Sequence, residues 1–211
     1  MLDFLFRYPG KLATALLEHL GIVGITMMLS ILLAILIAGF IMRFRLASQV
    51  TVSIFGVIYS IPSMALFALL IPFSGLGAKT AILVLVVYNQ FILVRNIIAG
   101  FEGVNPAVVE AAAGMGMSAW QSFWQVRFPL ASPVIIAGIR IAVVSTIGIA
   151  TIAATINAGG LGAILFDGLR THNNAKLWWG TILASLLAIV ANQLLSLLEK
   201  ATNQKLQGKK G

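Results

Sequence analysis

A chain of 211 residues that is 60% apolar and only 9% charged lies far from the roughly half-apolar, quarter-charged balance of soluble domains. It contains no cysteine, which excludes disulfide scaffolds, thiolate zinc sites and cysteine nucleophiles, and its two histidines, His19 and His172, leave little for metal chemistry. The net charge of +8 does not mark a nucleic-acid binder, because the 14 basic residues punctuate long uncharged runs instead of clustering on a soluble face.

Those runs organise the chain as one all-α membrane domain, 1–211, since a spanning helix needs about 20 mostly apolar residues to cross a hydrocarbon layer roughly 30 Å thick. Five spans are predicted, near 20–42, 50–72, 80–100, 133–155 and 177–198. A connecting loop covers 101–132 and a basic tail 199–211. The first run, Ile22 to Met42, is too long and starts too late for a signal-peptide core. No segment alternates polar and apolar residues as successive barrel strands do. Arg43, Arg45, Arg95, Arg127, Lys200, Lys205, Lys209 and Lys210 share one side of this topology, and Arg7, Lys11, Lys79, Arg170 and Lys176 the other. The bias makes the first side cytoplasmic, with the N-terminus outside and the C-terminus inside. Arg140, two turns into span four, reaches the same surface by snorkelling.

The stretch Phe101 to Ser132 carries its own helix punctuation. Asn105-Pro106 reads as an N-cap with proline at the first helical position, opening a short helix through Glu110-Ala111-Ala112-Ala113 that Gly114 and Gly116 interrupt. Ser118 and Gln121 have capping-box spacing and open a second. Trp120, Phe123, Trp124 and Phe128 share one face of it, and Pro129 and Pro133 end it, with Ser132-Pro133 restarting as span four. The aromatic stripe either packs on the protein's own span ends, lies in the lipid interface, or receives a soluble partner.

The stretch resembles the signature loop of binding-protein-dependent ABC transporter permeases, whose pattern is E-A-A, three residues, G, nine residues, then I-x-L-P. Here Glu110-Ala111-Ala112 is followed at that spacing by Gly116 and by Val126-Arg127-Phe128-Pro129, with two apolar replacements. The resemblance implies a type I importer fold and a coupling helix seated in a separate ATP-binding subunit. Glu110 would be the polar contact, Gly116 the close-approach turn, and Trp120, Phe123, Trp124 and Pro129 part of the same loop. Further pieces are similar to the osmoprotectant branch, which imports glycine betaine, carnitine or choline: Tyr59-Ser60-Ile61-Pro62-Ser63, Val94-Arg95-Asn96, Ala137-Gly138-Ile139-Arg140 and Ala158-Gly159-Gly160-Leu161-Gly162. Asn89-Gln90-Phe91-Ile92 departs from the branch, where a proline is expected. The implied partners are two ATP-binding subunits, an extracytoplasmic solute-binding protein and a second permease copy or homologue, in a bacterial plasma membrane.

No nucleotide site is legible, because Gly75-Leu76-Gly77-Ala78-Lys79-Thr80 lacks the phosphate-loop glycines and reads as an external turn. Energy therefore comes from another subunit or none is used, and the resemblance implies that this chain binds no cofactor and that a partner subunit uses ATP. Gly159-Gly160-Leu161-Gly162 reads as a bend or re-entrant turn. Polar residues inside spans either join helices or line a path: Tyr59, Ser60, Ser63, Asn89, Gln90, Asn192 and Gln193. A quaternary ammonium is drawn to aromatic faces, which points to Phe55 and Tyr59. A permease for another small solute such as an amino acid is the alternative. A self-sufficient channel or ion-driven carrier would want intramembrane carboxylates, and a membrane enzyme would want a clustered nucleophile and base.

Overall fold

The computed structural model describes residues 2–206 and 208. Lys209 and Lys210 of the basic tail, and the side chain of Lys205, lie outside the described residues. The regular elements described are helical, in the order α1 (Leu2–Arg7), α2 (Pro9–Ile41), α3 (Arg45–Ser60), α4 (Ser63–Ser74), α5 (Ala78–Glu102), α6 (Pro106–Gly114) and α7 (Ala119–Ser122), then a π turn (Phe123–Arg127), α8 (Phe128–Ile152), a 3-10 turn (Ala153–Ile156), α9 (Leu161–Arg170) and α10 (Asn174–Leu206).

Among the described residues, four helices are long and apolar enough to cross a membrane, and the bent pair α3–α4 makes a fifth if counted as one span. The first long helix starts at Pro9, well ahead of the expected 20, with proline in its first turn. The second expected span, 50–72, is not straight. It breaks at Ile61-Pro62, and its halves meet at 96°. Proline disfavours the helical conformation of the residue before it, and Ile61 is extended, at φ −68° and ψ 130°. The Tyr88 hydroxyl of α5 donates to the Ile61 carbonyl freed by the break.

The opposite happens at the two prolines expected to separate the loop from span four. α7, the π turn and α8 form one uninterrupted helix, Ala119–Ile156, so the restart at Pro133 is corrected. Pro129 directly follows the π turn, inside this continuous helix. The wide turn before it closes with the Phe128 N–H donating to the Phe123 carbonyl. Pro133 cannot donate to the Pro129 carbonyl four residues back, and the Ser132 hydroxyl donates to it instead, at 2.7 Å.

α5 is the central helix and packs on α2, α3, α4 and α8, while α10 lies outside against α8 and α9. Small residues permit these close crossings, as expected where lipid supplies no hydrophobic drive between helices. Ala34, Ala38, Ala81, Ala142 and Ala150 are fully buried. A Cβ on Gly138 would sit 2.4 Å from the Asn96 Cβ, and one on Gly100 2.9 Å from the Ala131 carbonyl. Two of the branch-like sequence pieces, Val94-Arg95-Asn96 and Ala137-Gly138-Ile139-Arg140, are thus the two sides of one α5–α8 crossing.

The core also contains a polar knot. The Asn89 amide nitrogen donates to Thr146 Oγ1 at 2.9 Å and to Ser30 Oγ at 3.2 Å, and Gln90 Nε2 donates to the Val86 and Ser30 carbonyls at 2.9 and 3.4 Å. α2, α5 and α8 are thereby tied at one level. A double-mutant cycle of Asn89→Leu and Thr146→Val, read by thermal unfolding in detergent, should give a coupling of about 0.6 to 1.7 kcal/mol. Strict additivity would mean that the two side chains do not share a bond.

The reversal after α8 uses Asn157 in the left-handed region at φ 64°, then Gly159 and Gly160 at φ 82° and 75°. The Gly160 N–H donates to Glu18 Oε2 of α2 at 2.9 Å, which caps the start of α9 from 142 positions away. The expected bend is therefore a full turn into α9. The Gly77 N–H of the α4–α5 turn donates to the Ile156 carbonyl at 2.8 Å, which joins the two turns at this end of the bundle.

Candidate functional site

The loop between α5 and α8 is closed by the local signals that predict it. Asn105 Oδ1 accepts from the Ala107 N–H at 3.0 Å and caps α6. At the other end of α6 the Gly116 N–H donates to the Ala113 carbonyl at 2.9 Å and the Met117 N–H to the Ala112 carbonyl at 3.2 Å. This paired closure needs a left-handed residue, which Gly116 supplies at φ 80°. Ser118 and Gln121 then cap each other reciprocally, at 2.9 and 3.3 Å, and start α7. Two helices are held at a fixed elbow by backbone bonds rather than by a core.

Within this loop Glu110, Ala111 and Gly116 are exposed, and Ala112 is buried. Among the described residues no cation lies within 4 Å of the Glu110 carboxylate, although Arg127 lines the same groove of about 460 Å³ with Phe101, Pro106 and Val109. The aromatic stripe divides. The Phe123 ring stacks on Phe101 of α5 at 5.6 Å, so that residue anchors the loop to its own span. Trp120 and Trp124 are in edge contact at 5.6 Å and remain 71% and 47% exposed. Phe128 borders Trp124, and Pro129 lies half-buried in the first turn of α8.

A second arrangement runs along the seam of α3 and α5. Tyr59 meets the Tyr88 ring at 5.5 Å and the Phe91 ring at 5.2 Å. Gly56 admits Phe91, since a Cβ there would be 3.2 Å from that ring. Phe55, Tyr59 and Ser63 are half-buried. Beside the seam, Arg45, Gln49, Ser53 and Ser60 stand at helical spacing on α3 and are exposed. Asn89 and Gln90, expected on a path, face the bundle interior, at 3% and 2% exposure, with the Asn89 amide bonded to α2 and α8 and the Gln90 nitrogen to α2. The structure does not bring them to the seam. Asn192 is half-buried and Gln193 exposed on the outer helix α10.

Arg140 does not reach solvent alone. Its Nε lies 3.3 Å from the Glu199 carboxylate of α10, without hydrogen-bond alignment. No local pattern announces a partner 59 positions away. The same holds for the Glu18 cap on α9.

Comparison with known proteins places this geometry. The family described as "Binding-protein-dependent transport system inner membrane component" matches residues 30–208. The chain belongs to this family. As a binding-protein-dependent inner-membrane component it is a multi-pass membrane protein and the permease of an ABC importer, whose ATP use rests with a partner subunit. Its curated relatives include osmoprotectant permeases and an ergothioneine permease. The glycine betaine/carnitine/choline transport system permease protein OpuCB of Bacillus subtilis is 34% identical over 211 residues, covering 100% of this chain and 97% of that one. The osmoprotectant import permease protein OsmW of Salmonella typhimurium is 34% identical over 209 residues, covering 97% of each. The fold matches the permease of the MetNI methionine ABC transporter, solved in inward-facing conformations, with a TM-score of 0.80 and 20% identity over 90% of this chain and 95% of that one. The relatives are transport permeases, and the family works with an ATP-binding subunit and a solute-binding protein.

Proposed function

We propose that this permease passes a quaternary ammonium osmoprotectant of the glycine betaine, carnitine or choline type along the α3–α5 seam, driven by ATP hydrolysis in a partner. One observation carries the reading. α3 combines an exposed polar row, Gln49, Ser53 and Ser60, with an aromatic seam that its Phe55 and Tyr59 form with Phe91 of α5. Exposed polar groups on a membrane helix face a water-filled cavity or another subunit rather than lipid, and aromatic faces attract an alkylated ammonium without demanding a hydrogen bond from it. Phe55, Tyr59 and Ser63 line this path.

Four partners complete the machine: two copies of the ATP-binding subunit, a second permease copy or homologue, and the extracytoplasmic binding protein that supplies high-affinity recognition. The end carrying Arg43, Arg45, Arg95 and Arg127 is cytoplasmic, with the N-terminus outside. The ATP-binding subunit docks there on Glu110, Ala111, Ala112 and Gly116 with Trp120 and Trp124, while Phe123 and Pro129 hold the loop to its own spans.

Proteoliposomes containing the complete complex should take up labelled glycine betaine, choline or carnitine only with ATP on the ATPase side. Tyr59→Ala should lower the rate about tenfold, the equivalent of roughly 1.4 kcal/mol of lost cation–aromatic contact. Uptake that persists without the ATPase subunit sinks the reading.

A further inference from the structure

The aromatic row on α5 continues into a charge. Arg95 follows Phe91 by one helical turn, and its guanidinium lies 5.7 Å from the Phe91 ring centroid. Arg45, at the first position of α3, lines the same open groove of about 410 Å³, together with Gln49, Ser53 and the carboxylate-bearing Glu102. Among the described residues neither guanidinium has a carboxylate within 4 Å, Glu102 included. Both arginines are exposed. Two guanidinium groups against one carboxylate leave the groove positive where the aromatic row ends, an unfavourable place for a bare cation arriving along that row.

We propose that Arg95, assisted by Arg45, is the subsite for the carboxylate of a zwitterionic solute whose quaternary ammonium rests on Tyr59 and Phe91. The inference rests on the solute path proposed above and narrows its cargo. A guanidinium offers a planar fork of donors that fits a carboxylate through two parallel bonds. The Arg95 guanidinium and the Phe91 ring are near enough for one small betaine to touch both. A betaine carries a carboxylate to offset the repulsion between its ammonium and the two arginines. Choline carries none, so the groove separates solutes by the presence of that group. Gln49 and Ser53 supply neutral hydrogen-bonding groups on the facing wall.

The test bypasses the selectivity of the binding protein. Saturation-transfer NMR on the N-methyl protons of glycine betaine and of choline is recorded with the permease–ATPase complex alone. The complex sits in nanodiscs of phosphatidylethanolamine with or without phosphatidylglycerol. The wild type should bind glycine betaine about tenfold more tightly than choline, the size expected of a charge-assisted carboxylate contact. Arg95→Gln should weaken glycine betaine and leave choline no weaker, since one repelling charge is gone, so that the two converge, and Arg95→Lys should keep part of the preference. Arg45→Gln should show the same selective loss at smaller size, so that poor folding of one variant does not decide the result. Equal loss of both compounds in both glutamine variants, or no loss of either, overturns the proposal. An Arg95→Gln effect that vanishes when phosphatidylglycerol is left out assigns the groove to an anionic lipid headgroup and overturns it as well. If the wild type binds neither compound, the solute path itself fails.

Discussion

A Gly116→Val chain should insert, fold and melt like the wild type yet lose at least about tenfold of ATP-driven uptake. Nothing lies within 4 Å of where a Cβ on Gly116 would stand, so the substitution meets no atom. Its cost is entirely in the backbone. Gly116 holds φ 80°, and a β-branched residue there costs about 1–3 kcal/mol, which the loop avoids by abandoning the closure of α6. The bundle, whose contacts lie elsewhere, does not register the change. A coupling element misplaced by that amount should lose about tenfold or more in productive docking. Gly114 is the internal control. It too has open space at Cβ, but it lies inside α6 without positive φ, so Gly114→Ala should be neutral or stabilise by about 0.5–1 kcal/mol. Glu110→Ala, at an exposed carboxylate without a cation partner within 4 Å among the described residues, should weaken capture of the ATP-binding subunit in a pull-down while uptake-independent properties hold. Equal capture by both chains would remove Glu110 from the docking surface. Equal uptake by Gly116→Val would remove the elbow from the coupling role.

The second large effect is structural. Gly162→Ala should lower the yield of folded chain and its unfolding temperature by roughly 5 °C or more. An added Cβ would fall 1.9 Å from the Thr151 carbonyl oxygen and 2.9 Å from the Ala154 Cβ, so α9 would have to lift off the end of α8. Neither obstacle is a side-chain tip that can swing away, which makes the position less forgiving than an ordinary overpacked core. Lifting α9 also strains the Glu18 bond to Gly160. Gly148→Ala, with nothing within 4 Å of its added Cβ, should leave the melting curve where it is. If Gly162→Ala melted with Gly148→Ala, the two helices could not be as close as the backbone places them.

What was legible in the sequence was local. The caps at Asn105 and Ser118, the elbow at Gly116 and the reversal at Gly159-Gly160 each depend on a few neighbouring residues, and each forms as its spacing predicts. The prolines were not legible by residue type alone. The sequence reading runs span two through Pro62 and stops a helix at Pro129 and Pro133, and the structure does the reverse at each. At Pro133 the Ser132 hydroxyl bonds the Pro129 carbonyl and the helix continues, whereas at Pro62 the preceding Ile61 turns extended and Tyr88, 27 positions on, fixes the break by bonding the Ile61 carbonyl. The same limit separates the two sets of path residues. Phe55 and Tyr59 lie half-buried on the α3–α5 seam and Asn89 and Gln90 in a fully buried knot, a distinction set by which helices flank α5. Spacing along one helix carries no such information. Glu199 and Glu18 belong to the same class, since each finds its partner through tertiary contact.

The uninterrupted helix Ala119–Ile156 has a mechanical meaning. Its 38 residues make a strut of about 57 Å, which carries the exposed Trp120 at one end and delivers the chain into the Asn157–Gly160 reversal at the other. A floppy joint at Pro129 or Pro133 would absorb a displacement applied to the tryptophan end. A stiff shaft reproduces that displacement at the far membrane face, where Gly77, Ile156, Glu18 and Gly160 are bonded together. The wide turn at Phe123–Arg127 belongs to this same continuous helix and follows Trp120 directly. On the docking proposed above, a push applied at Trp120 would therefore travel along one continuous helix to the other side of the membrane instead of stopping at a hinge.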